Sequence, residues 1–189
     1  MTNVLISGVG GQGTLLASRV LGKYALLGGY DCKMSEIHGM SQRGGSVTTH
    51  VRIGEKVYSP VVWEGGADIV LAFERLEGAR VKQFLKKDGV MLVNDEKILP
   101  MPCITGVAVY PDDVKERLQA EFKNVRFVPA KTLAGQAGSE KATNIVMLGC
   151  MCKLCGLDKD LMEQAVSACV PEKFKQLNLQ AFALGYDYV

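Results

Sequence analysis

Neither sign of charge dominates this chain of 189 residues: 22 Lys and Arg stand against 20 Asp and Glu, a formal net charge of +2. That near-balance excludes a broad surface built to attract nucleic-acid phosphates and leaves room only for local basic patches. Long apolar runs are missing too. None approaches the roughly 20 residues that cross a bilayer, so no membrane association is expected. The short apolar stretch at the start has no basic flank and runs straight into glycines, so it does not read as a cleaved leader. Six cysteines without a secretory signal then point to reduced thiols in a cytoplasmic protein. The chain also lacks internal repeats, low-complexity tracts and any linker long enough to separate domains. Cys150, Cys152 and Cys155 suggest a metal cluster at first sight, but on a helix only the last two share a face. No fourth Cys or His lies near them, and the C-x-x-C-x-x-C run of a cluster-binding segment is absent. No metal site is expected, and these thiols read as small core residues.

What is present begins with the first thirteen residues. Val4 to Ile6 read as a short buried strand, Gly8-Val9-Gly10-Gly11-Gln12-Gly13 follows at once, and Leu15, Leu16, Val20 and Leu21 fall on one helical face. Strand, glycine turn and helix in that order are the context a G-x-G-x-x-G match requires. Gly8 permits the tight turn, Gly10 admits a ligand close to the backbone, and Gly13 lets the helix pack near the strand. The amides at the helix start, with the positive end of its dipole, favour phosphate or another anion. The bland alternative is a tight turn that binds nothing.

Gly28-Gly29 stops the helix, and Cys32 to Ile37 reads as a second strand. Glu36 lies where a dinucleotide-binding fold often holds the acid that takes the ribose hydroxyls. It suits that role better than Asp31, which precedes the strand, so motif logic alone suggests an NAD site. A polar, glycine-rich loop from Glu36 to Ser46 then stands where a short turn into a helix would be expected. Val47, Thr49, Val51 and Ile53 alternate with Thr48, His50 and Arg52, the period of a strand with one solvated face, and residues 46–59 read as a hairpin turning at Gly54-Glu55. Further strands are expected at Ala67 to Phe73, Val90 to Val93, Ile104 to Val109 and Val125 to Val128. Helices are expected from Leu76 to Leu85 and from Val114 to Phe122, and then three more from Ser139 onward, the last starting at Pro171 and ending near Gly185. This alternation implies an α/β fold: a Rossmann-like, doubly wound, mainly parallel sheet with an inserted β-hairpin and a C-terminal helical extension. One domain is expected over 1–189, with the sheet core at about 1–130 and the helices at about 139–187.

In such a sheet, ligands lie beyond the carboxyl ends of the strands. The turn at Gly10 to Gly13, the loop from Glu36 to Gly45, Glu74 and Asn94-Asp95 would share that edge. Arg43 offers a forked donor for phosphate or carboxylate, and Ser41, Gln42 and the glycine amides add neutral donors. Arg43 reads equally as a solvated loop cation or a subunit contact, Glu74 as a carboxylate favouring a helix start, and His38 as a loop hydrogen bonder. His50, on the hairpin's polar face, needs no function.

Three segments together resemble a known family: GVGGQGTLLASRVLG at 8–22, EIHGMSQRGGSVTTHVRIG at 36–54, and Tyr58-Ser59-Pro60 through Ala67-Asp68-Ile69-Val70-Leu71-Ala72-Phe73-Glu74. They are similar to the gamma-type subunits of the 2-oxoacid:ferredoxin oxidoreductases, with EIHGMSQRGG pointing to the indolepyruvate branch. Lys141-Ala142-Thr143-Asn144 also resembles that family. The likeness implies a doubly wound fold that does not use NAD. It implies membership in an assembly that oxidatively decarboxylates an arylpyruvate on thiamine diphosphate, passes electrons through iron–sulfur clusters to ferredoxin, and releases an acyl-CoA. The chain has no GDG-type thiamine-binding segment, so thiamine and clusters would sit on a larger catalytic partner subunit. This chain, inactive alone, would complete the active site. Carried over by position, Gly10, Gly11, Gln12 and Gly13 would meet CoA phosphates with Ser41, Gln42 and Arg43. A self-sufficient NAD-dependent dehydrogenase and a non-catalytic interaction scaffold are the competing readings.

Overall fold

A computed structural model describes residues 1–39 and 45–189. Six strands, β1 (Thr2–Val9), β2 (Asp31–His38), β3 (Ser46–Gly54), β4 (Ala67–Ala72), β5 (Leu85–Asn94) and β6 (Val125–Val128), form one sheet in the order β2-β3-β1-β4-β5-β6. The pairs β1–β4, β4–β5 and β5–β6 are parallel, whereas β3 runs antiparallel to both β1 and β2. From β1 the chain goes to one outer edge, returns as β3, and crosses β1 to build the other half. The switch in direction therefore lies between β1 and β4.

Period-two alternation assigns the strand side chains to two cores. Val4, Ile6, Ile69, Leu71, Phe73 and Leu92 face one side, while Leu5, Val70, Ala72, Met91 and Val93 face the other. The first face is covered by α1 (Thr14–Leu27), α5 (Ala130–Gln136), α6 (Thr143–Leu154), α7 (Lys159–Cys169) and α8 (Lys175–Tyr188), with α2 (Arg75–Arg80) and α4 (Val114–Glu121) on the second; a single turn, α3 (Met101–Ile104), precedes α4. Asp158 caps α7 by accepting from the Leu161 amide at 2.9 Å, and Ser139 opens the run into α6 by accepting from the Lys141 amide at 3.3 Å. Among the described residues no helix is long and apolar enough to cross a membrane.

Several expectations need correction. The hairpin is not 46–59: β3 pairs with β2 instead, and residues 55–66 carry no strand. Nor does β3 have a solvated face. As an interior strand it buries Thr49, His50 and Val51, with His50 Nδ1 accepting from the Val62 amide at 3.1 Å and its ring edge-on to Phe84. Segment 55–66 supplies that cover, fastened by Arg52, which donates to the Ser59 carbonyl and stacks over Trp63. The second helix is shorter than expected, because Leu85 already belongs to β5. Ile104 to Val109 is no strand: Pro100 starts α3, and the following residues fold back on Pro102. Leu15 points to solvent rather than into the core. The last helix begins at Lys175, after a 3-10 turn, and runs past Gly185 to Tyr188.

Gly185 sits inside α8 because α6 crosses it almost in backbone contact. A Cβ there would lie 2.0 Å from the Val146 carbonyl oxygen, and one at Gly149 would lie 2.2 Å from that of Phe182. Cys150 Sγ donates to the Gly185 carbonyl at 3.1 Å, and Cys152 Sγ to that of Leu157 at 3.5 Å. Burial pushes the Cys150 thiol up to about 12 and those of Cys152 and Cys155 up to about 11, so all three stay neutral.

Two stability measurements check this packing. Gly185→Ala leaves the added methyl only backbone to displace, and should cost about 3 kcal/mol in urea unfolding; a loss under about 0.5 kcal/mol would mean the helices separate freely. Burial lowers the His50 pKa, so between its folded value and about 6.5 the unfolded chain binds the extra proton. Stability should therefore fall as pH drops below about 6.5, with a shallower fall in His50→Gln. Superimposable pH profiles for the two proteins would rule this out.

Candidate functional site

The carboxyl ends of β1, β4, β5 and β6 meet at one edge, held in place by side-chain amides. The Phe73 amide donates to the Ser7 carbonyl at 2.8 Å. The Phe73 carbonyl accepts from Gln12 Nε2 at 2.9 Å and from Asn94 Nδ2 at 3.1 Å. Gln12 Oε1 in turn accepts from the Val9 amide at 2.7 Å, and Asn94 Oδ1 from the Ala130 amide at 3.2 Å. Two carboxamides thus bind the ends of four strands to one another. Asp95 beside them pairs with Arg75 at 2.7 Å and Lys115 at 3.0 Å.

The glycine turn sits on this support. Its conformation depends on Gly11 and Gly13, at φ of 98° and 82°. Gly13 caps α1 in the left-handed region, and a Cβ there would lie 2.5 Å from Asn144 Nδ2. Asn144 instead donates to the Gly13 carbonyl at 3.2 Å, so the start of α6 is joined to the start of α1. The amides of Gly10 and Gln12 are engaged within the chain, donating to the carbonyls of Gly45 and Val9 at 3.0 and 3.1 Å. These two residues enter the site through the turn they shape. Gly11 and Gly13 line the cleft side of the turn.

That cleft, about 460 Å³, is lined by Gly11, Gln12, Gly13, Lys131, Lys141 and Asn144, with Leu16, Glu96, Ile98, Glu140 and Thr143 completing its wall. The starts of α1 and α6 both open on it, each presenting the positive end of a dipole. Lys131 is tied to Glu96 at 3.0 Å and to Glu140 at 3.6 Å, and its ammonium pKa is raised first by the hydrogen bond to Glu96. Among the described residues no carboxylate pairs with Lys141, leaving it the available cation of the cleft. The chemistry offered is recognition of an anion of phosphate type by amides, helix dipoles and ammonium groups. Thr143, Asn144, Lys131 and Glu96 were not selected from the sequence as site residues; the segment 141–144 stood out only by its family likeness.

The other candidates fare differently. Ser41, Gln42 and Arg43 lie outside the described residues, though the flanks of their segment do not: the Gly10 amide bonds to Gly45 and the Gly39 amide to Ser46 at 3.4 Å. Glu74 is a buried structural carboxylate, accepting from the amides of Glu77 and Ile98 and from the Tyr110 hydroxyl. Glu36 is exposed on β2, where it accepts from Thr49 Oγ1 at 3.3 Å. Because β3 separates β2 from β1, Glu36 is two strand spacings, roughly 9.5 Å, from the strand that bears the glycine turn. A bound dinucleotide would not find its ribose acid there. On the opposite face of the sheet, Glu77 accepts from Ser46 Oγ, and burial raises its pKa.

These features define a class: a doubly wound α/β fold with a cleft beside its switch point, lined by the glycine turn and two lysines, and with no dinucleotide acid among the described residues. Residues 3–188 match the family described as pyruvate ferredoxin/flavodoxin oxidoreductase, and the chain belongs to it. It is 41% identical over 189 residues, covering 97% of this chain and 93% of the relative, to the indolepyruvate oxidoreductase subunit IorB of Thermococcus kodakarensis. Its fold is similar to that of the gamma subunit of a keto/oxoacid ferredoxin oxidoreductase from Geobacter sulfurreducens, with a TM-score of 0.73 at 27% identity, covering 99% of this chain and 97% of that one. The fold also recurs in a 2-oxoglutarate:ferredoxin oxidoreductase from Magnetococcus marinus, at a TM-score of 0.74 and 17% identity; the match takes in 100% of this chain but only 31% of that longer one.

The carboxamide bridges give a direct test. Gln12→Ala removes the bond that ties the turn to the Phe73 carbonyl and the bond from the Val9 amide, and leaves that carbonyl with one donor fewer. Loss of about 1–3 kcal/mol in stability is expected, with faster hydrogen exchange at the Val9 amide. Unchanged exchange there would show that the turn holds its shape without Gln12.

Proposed function

We propose that this chain is the non-thiamine-binding subunit of a ferredoxin-dependent arylpyruvate oxidoreductase, inactive by itself, with indolepyruvate as the substrate class. Its cleft receives the phosphate end of CoA during oxidative decarboxylation. One observation carries the reading: two helix starts, a glycine turn and Lys141 converge on one cleft, in a chain whose sequence has no thiamine-binding segment and no cluster-binding cysteine run. A site that attracts an anion but contains no redox group suits a co-substrate whose reacting end meets chemistry elsewhere.

Within this chain the roles are confined to binding and orientation. The amides of Gly11, Gly13 and the first turn of α1 donate to phosphate oxygens. Lys141 adds charge from the α6 side, and Lys131 can turn to the ligand only by giving up part of its contact with Glu96 and Glu140. Asn144 keeps the two helix starts in register. Ser41, Gln42 and Arg43 are assigned to the same ligand, on a segment that leaves and rejoins the fold beside the glycine turn. Thiamine diphosphate, bound to the larger subunit with the iron–sulfur clusters, supplies the carbanion chemistry, and ferredoxin accepts the electrons.

The test uses the purified chain, its larger partner and the recombined complex. The chain alone should reduce no ferredoxin with any 2-oxoacid, and activity should appear on addition of the partner. Lys141→Ala and Arg43→Ala should each raise the KM for CoA about tenfold, with kcat changed less than twofold, the size expected for a charge-assisted hydrogen bond. Unchanged CoA kinetics in both variants would remove CoA from the cleft. Turnover by the isolated chain would end the whole reading.

A further inference from the structure

The stretch from Ile98 to Tyr110 contains no charged residue, in a chain where 22% of residues are charged. Leu99, Met101, Ile104, Val107 and Val109 on it are all exposed, Val107 at 83% and Val109 at 90%. The stretch is nevertheless well ordered by its own bonds. The amides of Cys103 and Ile104 donate to the Pro100 carbonyl at 2.9 and 3.1 Å, and those of Val107 and Ala108 to the Pro102 carbonyl at 2.9 and 3.0 Å. Thr105 Oγ1 donates to the Met101 carbonyl at 3.0 Å.

Both ends of this loop are fastened to one carboxylate. Glu74 Oε1 accepts from the Ile98 amide at 3.2 Å and from the Tyr110 hydroxyl at 2.6 Å, while Oε2 accepts from the Glu77 amide at 2.9 Å. Glu74 is only 1% exposed. The Lys97 ammonium lies 4.6 Å over the Tyr110 ring and pairs with Asp112 at 2.5 Å, closing the base of the loop. A compact surface loop with its ends tied together, presenting apolar side chains in a fixed shape, is a preorganised contact surface.

We infer that the Ile98–Tyr110 loop, clamped by Glu74, is the element on which the thiamine- and cluster-bearing subunit docks, through an apolar, uncharged surface of that subunit. The inference rests on the proposed subunit role. Position supports this occupant. Ile98 and Glu96 also line the cleft, so a body seated on the loop closes the cleft and brings its own groups to the bound anion. A second copy of this chain would bring only the same cleft, with neither thiamine segment nor cluster cysteines. The charges around the loop are paired within the chain, Lys97 with Asp112 and Arg117 with Asp113, which leaves the apolar side chains to make the contact. The same fold occupies 31% of a longer oxoacid:ferredoxin oxidoreductase chain, so it is found joined to further protein.

The experiment compares wild type, the Val107→Asp/Val109→Asp double variant and a control, Tyr58→Asp, which changes an exposed aromatic residue outside the loop. Each is titrated against the larger subunit, and its unfolding midpoint and sedimentation are measured alone. The loop variant should bind at least thirtyfold more weakly while unfolding and sedimenting as wild type does, and the control should bind normally. A loop variant that binds like wild type overturns the docking assignment and leaves the subunit role standing. A wild-type chain that fails to bind the larger subunit overturns both. If the isolated wild type self-associates and only that association is lost in the loop variant, the loop belongs to a second copy and the assignment also falls.

Discussion

The Phe73 carbonyl oxygen is the point on which the working edge of this protein depends. It lies just beyond β4, and it accepts from side chains on the glycine turn that follows β1 and on the end of β5. Strand ends are where the backbone ladder stops and unsatisfied polar groups collect. Here Gln12 and Asn94 satisfy those groups and at the same time pull the ends of β1, β4, β5 and β6 into one rigid rim. A glycine turn with two left-handed residues has little intrinsic preference for one shape. The rim supplies the preference, by holding the Gln12 side chain from both ends.

Most of the sheet was legible in the sequence, because interior parallel strands read as unbroken apolar runs and their period assigns the faces. The errors have a common origin. Residues 46–54 alternate as a half-solvated strand would, but His50, on the side expected to be solvated, is buried under segment 55–66, and local pattern does not reveal a cover supplied by irregular chain. The apolar content of 104–109 read as a strand. Pro100 and Pro102 instead set up a folded-back loop, and its fastening to Glu74 is a long-range contact that no window over the sequence contains. Gly185 looked like a helix stop, yet it is the point at which α8 admits α6. In the site, the glycine turn was visible, as a contiguous motif is. Lys131, Lys141 and Asn144 join it only through tertiary packing, more than a hundred residues further along the chain.

Insertion of β3 explains why the glycine fingerprint here is not accompanied by the acid of a dinucleotide site. In a dinucleotide fold the strand after α1 lies beside β1, and the acid at its end reaches the ribose. Here an antiparallel strand takes that place, and Glu36 is carried outward with β2. What survives is the sequence-independent share of the motif: amides and a helix dipole, which recognise an anion whatever it is attached to. The second helix start, at α6, opens on the same cleft, which a single glycine turn would not supply. On the proposed reading, the fingerprint would report the charge of a ligand and not its identity.

Phe73 and Glu74 are consecutive, and between them they fix both the cleft and the apolar loop. The carbonyl of the first holds the glycine turn, and the carboxylate of the second holds the apolar loop. Since residues at the end of one strand cannot be displaced separately, the cleft and the loop keep a constant spacing. That constancy is what division of labour between two polypeptides demands. A ligand anchored on one chain reaches a reactive group on another only if the distance from anchor to contact surface is set before the chains meet. Misplacement by about an ångström at such a junction costs orders of magnitude in rate. On the proposed reading, the three donors that satisfy buried Glu74 fix the spacing a shared site needs.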